Sequence, residues 1–189
     1  MKKITHTLLL FMITTSLSFG QAFITTWKTD NPGTSNDNEI TIPTDGTGFN
    51  YTVDWGDESS DTGVTGDITH TYASPGTYTI TISGDFPKIS FVNDGDKEKL
   101  LSVEQWGNIQ WSGMIFWGCK NLVINATDAP DLSNATSLIS TFRDCHAMTG
   151  DLSGWDVANI TNMDFTFLSA RSFNSDISGW DVSNVTTMR

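Results

Sequence analysis

The amino-acid sequence predicts a mainly β chain in two parts, a small β-sandwich followed by an array of stacked coils. Two observations carry that expectation. Between Phe23 and Asn93, short segments alternate apolar and polar residues and are separated by turn clusters, with no helical period. Further on, Asp151-Leu-Ser-Gly-Trp-Asp-Val-Ala-Asn-Ile-Thr-Asn-Met163 recurs as Asp176-Ile-Ser-Gly-Trp-Asp-Val-Ser-Asn-Val-Thr-Thr-Met188, a period of 25 residues. A unit that short cannot bury its own apolar face, so successive units must stack.

Residues 1–20 read as a secretory signal. Lys2 and Lys3 supply the positive start, Leu8-Leu-Leu-Phe-Met-Ile13 the apolar stretch, and Ser18-Phe-Gly20 a small-residue cleavage site. The apolar stretch is shorter than the roughly 20 residues of a spanning helix. With no cysteine near the cleavage point, a lipid anchor is not expected. The mature protein is therefore expected to be secreted or at the cell surface, with no membrane span. The formal charge is −12, and losing the two lysines makes it −14. Such acidity argues against nucleic acid and anionic membrane as partners. It suits an extracellular surface, and a cationic partner or divalent ions.

The first part, residues 21–95, contains strand candidates at Glu39-Ile-Thr-Ile42, Phe49-Asn-Tyr-Thr-Val-Asp-Trp55, Tyr78-Thr-Ile-Thr-Ile82 and Ile89-Ser-Phe-Val92. Turns are expected at Asn31-Pro-Gly33, Asp45-Gly-Thr-Gly48 and Ser74-Pro-Gly76. Within it, Val53-Asp-Trp-Gly-Asp57 followed by His70-Thr-Tyr-Ala-Ser-Pro-Gly-Thr-Tyr-Thr-Ile80 resembles the polycystic-kidney-disease (PKD) type module. That resemblance implies an immunoglobulin-like sandwich serving as a spacer or interaction module. The chain departs from the family pattern at Glu58, where the family has glycine. Asp54, Asp57 and Asp61 are candidate calcium ligands, since carboxylates suit that ion. The plainer reading is that short acids bond the turn backbone. His70 has no placed nucleophile or paired acid to make it a base.

The second part, residues 96–189, extends the repeat. Pro130-Asp-Leu-Ser-Asn-Ala-Thr-Ser-Leu138 lies one period above Trp155-Asp-Val-Ala-Asn-Ile-Thr-Asn-Met163. Phe116-Trp-Gly-Cys119, Phe142-Arg-Asp-Cys145 and Phe167-Leu-Ser-Ala170 recur more loosely. The spacing Leu152-x-x-Trp155-x-Val157-x-x-Ile160-x-x-Met163 is close to the leucine-rich-repeat pattern and predicts a solenoid. A short strand is expected near residues 155–158, and a turn or short helical segment near 165–173. The wording Trp-Asp-Val-Ser-Asn-Val-Thr-x-Met, with Phe-Asn-x-Asp-Ile-Ser-Gly before it, resembles BspA-like leucine-rich repeat surface proteins. This resemblance covers roughly residues 97–189 and implies a bacterial secreted or cell-surface protein of the adhesin type. Pro130 stands where that family has Trp. With no polar cap after Met188, the array is expected to be incomplete, and the isolated chain marginal or prone to associate through its last coil.

Stacking at this period would align residues into columns roughly 5 Å per step. Cys119 and Cys145, 26 residues apart, would meet on adjacent coils, either as a disulfide or as a buried pair of reduced thiols. Asp131, Asp156 and Asp181 would form an outward column, a candidate contact for a cation or basic partner. The alternative is that each Asp accepts bonds from nearby groups. Asn134, Asn159 and Asn184, each in Asn-x-Thr, read as amides bonding along the stack rather than glycosylation acceptors.

The expected function is noncatalytic adhesion or recognition through repeat faces, with an extracellular protein or polysaccharide as partner. An accessory carbohydrate-binding or spacer region of a larger extracellular enzyme is the alternative. No catalytic residue is assigned and no cofactor is expected, calcium excepted. Only His70 and His146 remain after the signal, and neither joins a readable nucleophile–base pair or metal cluster.

Overall fold

A computed structural model describes residues 22–189, and the expected signal lies outside the described residues. The strands are β1 (Phe23–Lys28), β2 (Glu39–Ile42), β3 (Asn50–Asp54), β4 (Ser60–Val64), β5 (Ile68–Thr71), β6 (Thr77–Asp85), β7 (Lys88–Ser90), β8 (Leu100–Gln105), β9 (Gly113–Ile115) and β10 (Val123–Ile124). The architecture is mainly β, with no helix among the described residues, and the sheets are open. The alternating segments become strands because each has one apolar row to bury. Phe23, Thr25 and Trp27 of β1 turn inward while Ile24, Thr26 and Lys28 stay partly exposed.

One six-stranded sheet runs in the order β10-β8-β1-β6-β3-β4, while β2 pairs with β5 and β7 with β9. The large sheet runs across position 95, the expected boundary between the two parts. Strand β8, beyond it, pairs antiparallel with β1, and β10 then pairs parallel with β8. Buried apolar residues from Phe23 to Trp180 form one continuous cluster. Sequence spacing could not reveal this, because β8 reaches its partner across more than seventy residues.

A second departure concerns β7. The segment reads as a sandwich strand, but it leaves the large sheet and pairs parallel with β9, Ile89 opposite Met114. That offset is the repeat period, so β7 is the first rung of the stack. The ladder then climbs coil by coil. Phe91 N–H donates to Ile115 O at 2.9 Å, Phe116 N–H to Thr141 O at 2.8 Å, and Phe142 N–H to Thr166 O at 2.8 Å. Along its inner side stand Phe91, Phe116, Phe142 and Phe167, with successive ring centroids 6.3, 5.9 and 5.8 Å apart. Trp27 of β1 meets the first of these rings at 5.8 Å, so the aromatic spine begins at the six-stranded sheet. A second column joins Trp106, Trp155 and Trp180.

The strand expected near residues 155–158 is absent. Bridges between coils form instead at Ser137, Asn162 and Thr187. The reason is local. Asp151 Oδ1 accepts from Ser153 N–H at 2.9 Å and Asp156 Oδ1 from Ala158 N–H at 3.1 Å, and such side-chain turns bend the backbone away from strand geometry. Residues 164–169 form turns with Phe165 and Ser169 at positive φ, so the helical option there is not taken.

Candidate recognition surfaces

The paired motif of the first part proves to be a single interlocked cluster. Trp55 is buried at the end of β3, and His70 of β5 stacks on it at 4.7 Å. Tyr72 then packs edge-on against His70, donates its hydroxyl to Trp55 O at 3.1 Å, and stacks on Tyr78 at 3.7 Å. Gly56 between Trp55 and Asp57 has φ of 75°, and a Cβ there would lie 2.4 Å from Thr79 O. Glu58 adopts φ of 72°, the left-handed region that glycine favours.

The three acids of this loop are occupied by their own neighbourhood. Asp54 Oδ1 accepts from Gly56 N–H at 2.9 Å, and Asp61 Oδ2 accepts from the Trp55 indole at 2.8 Å. Asp57 Oδ1 takes the Ser59 N–H and hydroxyl, and its Oδ2 lies 2.9 Å from His70 Nε2. Burial raises the Asp57 pKa, but the bonds from Ser59 and His70 outweigh it and leave the carboxyl below its usual range. The three candidate ligands thus serve separate turn contacts, and no cluster of metal-binding side chains occurs among the described residues.

The acid column behaves likewise. Asp131 Oδ1 accepts from Ser133 N–H at 3.0 Å and Asp181 Oδ1 from Ser183 N–H at 3.0 Å, matching the Asp156 turn. Hydrogen bonds from Ser133 and Ser183 hold the Asp131 and Asp181 carboxyls low. Asn159 Nδ2 donates to Ser133 O at 3.3 Å and Asn184 Nδ2 to Ala158 O at 2.8 Å. Thr161 and Thr186 hydroxyls donate to Thr136 O and Thr161 O at 3.1 and 3.0 Å. The triplets at Asn159 and Asn184 therefore rivet each of their coils to the one before, whereas Asn134 makes no such bond among the described residues. Cys119 and Cys145 are buried free thiols, not a disulfide. The Cys145 thiol faces Phe116 O at 3.1 Å, and burial pushes its pKa up to about 12. His146 lies partly buried beside them.

Among the described residues, surfaces that could meet partners include the two that follow. The first follows the outer side of the phenylalanine ladder. The bonds Asn93 N–H to Trp117 O, Gly118 N–H to Arg143 O and Asp144 N–H to Leu168 O place Val92, Trp117, Arg143 and Leu168 at equivalent points. Val92 is 52% and Leu168 45% exposed. The Arg143 guanidinium lies 4.1 Å from the Trp117 ring centroid and 5.2 Å from that of Phe165. Asp144 accepts from the Trp117 indole at 2.8 Å. The recurrence of Phe116-Trp, Phe142-Arg and Phe167-Leu signals this stripe, but only the register shows that the second residue of each pair faces out.

The second surface is a polar groove of about 1000 Å³ where the large sheet meets the first coil. Its floor is the outer row of β3 and β6, where Thr52 is opposite Ser83 and Asp54 opposite Thr81, with Ser60 of β4 beside them. Its wall carries Asn108, Gln110, Asp131 and Asn134. Edge-on packing of Trp111 against Phe23 at 5.0 Å and against Phe86 at 6.0 Å fixes wall against floor. One acid from each candidate set, Asp54 and Asp131, thus lines the same groove, while Asp57, Asp61, Asp156 and Asp181 do not. Asp85, Asn108, Gln110 and Asn134 carry no sequence signal for this role, because the groove arises from pairing between distant segments.

Residues 109–189 match the model of a family described as a Mycoplasma protein of unknown function, DUF285. The match begins at the wall of the groove and runs through the stacked coils. No curated protein and no solved structure matches the chain.

Proposed function

We propose that this chain is a noncatalytic, secreted or cell-surface recognition protein that engages an extracellular protein or polysaccharide through its repeat faces. The observation that carries the reading is the stripe of Val92, Trp117, Arg143 and Leu168, where exposed Val92 and Leu168 flank half-buried Trp117 and Arg143 at one register. Exposed apolar surface repeated at one register is costly unless a partner covers it. Within this reading the coils are BspA-like leucine-rich repeats, supported by the stacking offset and by the matched family's association with BspA-like surface proteins. The sandwich is a PKD-like spacer, supported by the Trp55–His70–Tyr72 cluster that joins the two halves of that motif. Against a catalytic role stands the commitment of His70 to Asp57 and Trp55.

The test is binding of the purified protein to immobilised extracellular-matrix proteins and polysaccharides, read by surface plasmon resonance. A Trp117→Ala/Leu168→Ala variant with unchanged circular dichroism is expected to lose the interaction. Binding by the variant equal to the parent's, or no binding by the parent, overturns the reading.

A further inference from the structure

Four polar side chains at the groove, Asp85, Asn108, Gln110 and Asn134, make no hydrogen bond to the protein among the described residues. Elsewhere in the array such groups are used internally. Asn159 and Asn184 each donate to a carbonyl of the preceding coil, whereas Asn134, first in that column, donates to none. The equivalent carbonyl one coil earlier would belong to Asn108, and both residues instead edge the groove. The floor adds the hydroxyls of Thr52, Ser60, Thr81 and Ser83, equally without side-chain partners among the described residues.

The chemistry of the free groups narrows the ligand. Amides and hydroxyls both donate and accept, and they outnumber the one fully free carboxylate, Asp85. Asp54 and Asp131 each have one oxygen engaged by their own turn, which leaves the other to accept. No lysine or arginine lines the groove, so phosphate, sulfate and uronate ligands meet only negative charge. A volume near 1000 Å³ is at the upper end for compact ligand sites and suits a short oligomer lying along the strands. The register sets the length. Asp54 is opposite Thr81 and Asp85 opposite Asn50, four residues apart on the ladder, or about 13 Å. The acceptor-only acids therefore stand at the two ends, with donor–acceptor hydroxyls between them.

We infer that this groove is a binding site for a neutral polyhydroxylated chain, an uncharged oligosaccharide. It rests on the recognition reading above but uses a different surface from the stripe. Sugar hydroxyls bridge the Thr52, Thr81 and Ser83 hydroxyls, and Asn108, Gln110 and Asn134 clamp from the wall.

The experiment titrates the purified protein by calorimetry with cellohexaose, chitohexaose and mannohexaose, and in parallel with oligogalacturonate and an oligolysine peptide. At least one neutral hexasaccharide is expected to bind and oligogalacturonate not to. Asn108→Ala/Asn134→Ala is expected to weaken that binding about tenfold without changing the melting temperature. The stripe variant Trp117→Ala/Leu168→Ala is expected to leave it unchanged. Binding of oligolysine alone, equal binding of oligogalacturonate, an unaffected Asn108→Ala/Asn134→Ala variant, or no binding of any neutral hexasaccharide at millimolar concentration overturns the inference. Loss through the stripe variant alone would assign the ligand to the ladder face and leave the recognition reading standing.

Discussion

Lys99 and Asp96 lie buried side by side, the ammonium 3.9 Å from a carboxylate oxygen, yet each finds most of its partners in the loop between β1 and β2. Lys99 Nζ donates to Ser35 Oγ at 2.7 Å, Asn36 O at 2.8 Å and Glu39 O at 3.0 Å. Asp96 accepts from the N–H groups of Thr34, Ser35 and Thr41 at 3.0, 3.0 and 2.7 Å. The pair thus ties the segment entering β8 to the connection between β1 and β2. Asp96→Ala would leave a buried ammonium without its paired carboxylate and three N–H groups unpaired. A loss of about 3–5 kcal/mol is expected in urea unfolding. Gly33→Ala tests the same clamp sterically, because its Cβ would fall 2.4 Å from Asp96 Oδ1.

The aromatic spine predicts a graded response. Phe142 is fully buried between Phe116 and Phe167. Phe142→Ala should cost about 3–5 kcal/mol by opening a cavity. Phe142→Leu, closer in volume, should cost about 1.5 kcal/mol or less. Equal losses in urea titrations would contradict a close-packed spine.

Glu58 carries backbone strain that glycine would relieve. At φ of 72° its Cβ crowds the backbone, and Glu58→Gly is expected to raise stability by about 1 kcal/mol. A thermal melt that falls on this substitution would mean that the Glu58 side chain contributes more than its backbone costs.

Acid should weaken the stack. Asp57, Asp131, Asp151, Asp176 and Asp181 all have folded pKa values below the usual carboxylate value of 3.8. A depressed folded pKa contributes stability that is present above the unfolded value and is lost as pH falls through the folded one. The melting temperature is therefore expected to hold at neutral pH and drop below about pH 4. Asp151→Asn/Asp176→Asn should flatten that fall, whereas a pH-independent melt would contradict the turn bonds.

The cysteines should be inert in the native protein. Burial raises both thiols, that of Cys145 to about 12, so neither is ionised near neutrality. Ellman's reagent is expected to find no reactive thiol in the folded protein and both once it is denatured without reductant. Thiols that appear only after reduction would instead establish a bridge.

Much of the local structure is legible before any coordinates. Glu39–Ile42 is read as a strand and is one, because its Ile residues alternate with polar ones and both bury completely. Asn159 and Asn184 are legible as stacking amides because a fixed period turns sequence position into spatial neighbour, and Asn134, expected to join them, does not. The expectation at residues 155–158 fails for an equally local reason. Apolar spacing there fits a strand, but Asp156 captures the N–H of Ala158 and makes a turn. The candidate acids carry the same ambiguity, since an aspartate that closes a turn and one that holds calcium look alike in one dimension.

The sequence alone determined the period, the mainly β character, the turns and the inward aromatic positions. All of these follow from spacings of two residues or of one repeat. Tertiary structure alone decided that β8 continues the first sheet, that β7 opens the ladder, and that Asn108 and Asn134 face Thr52 and Ser83 across a groove. Those outcomes depend on which distant strand edges bury the most shared apolar surface. Trp27 against Phe91 and Phe23 against Trp106 settle that choice, and no periodicity encodes it.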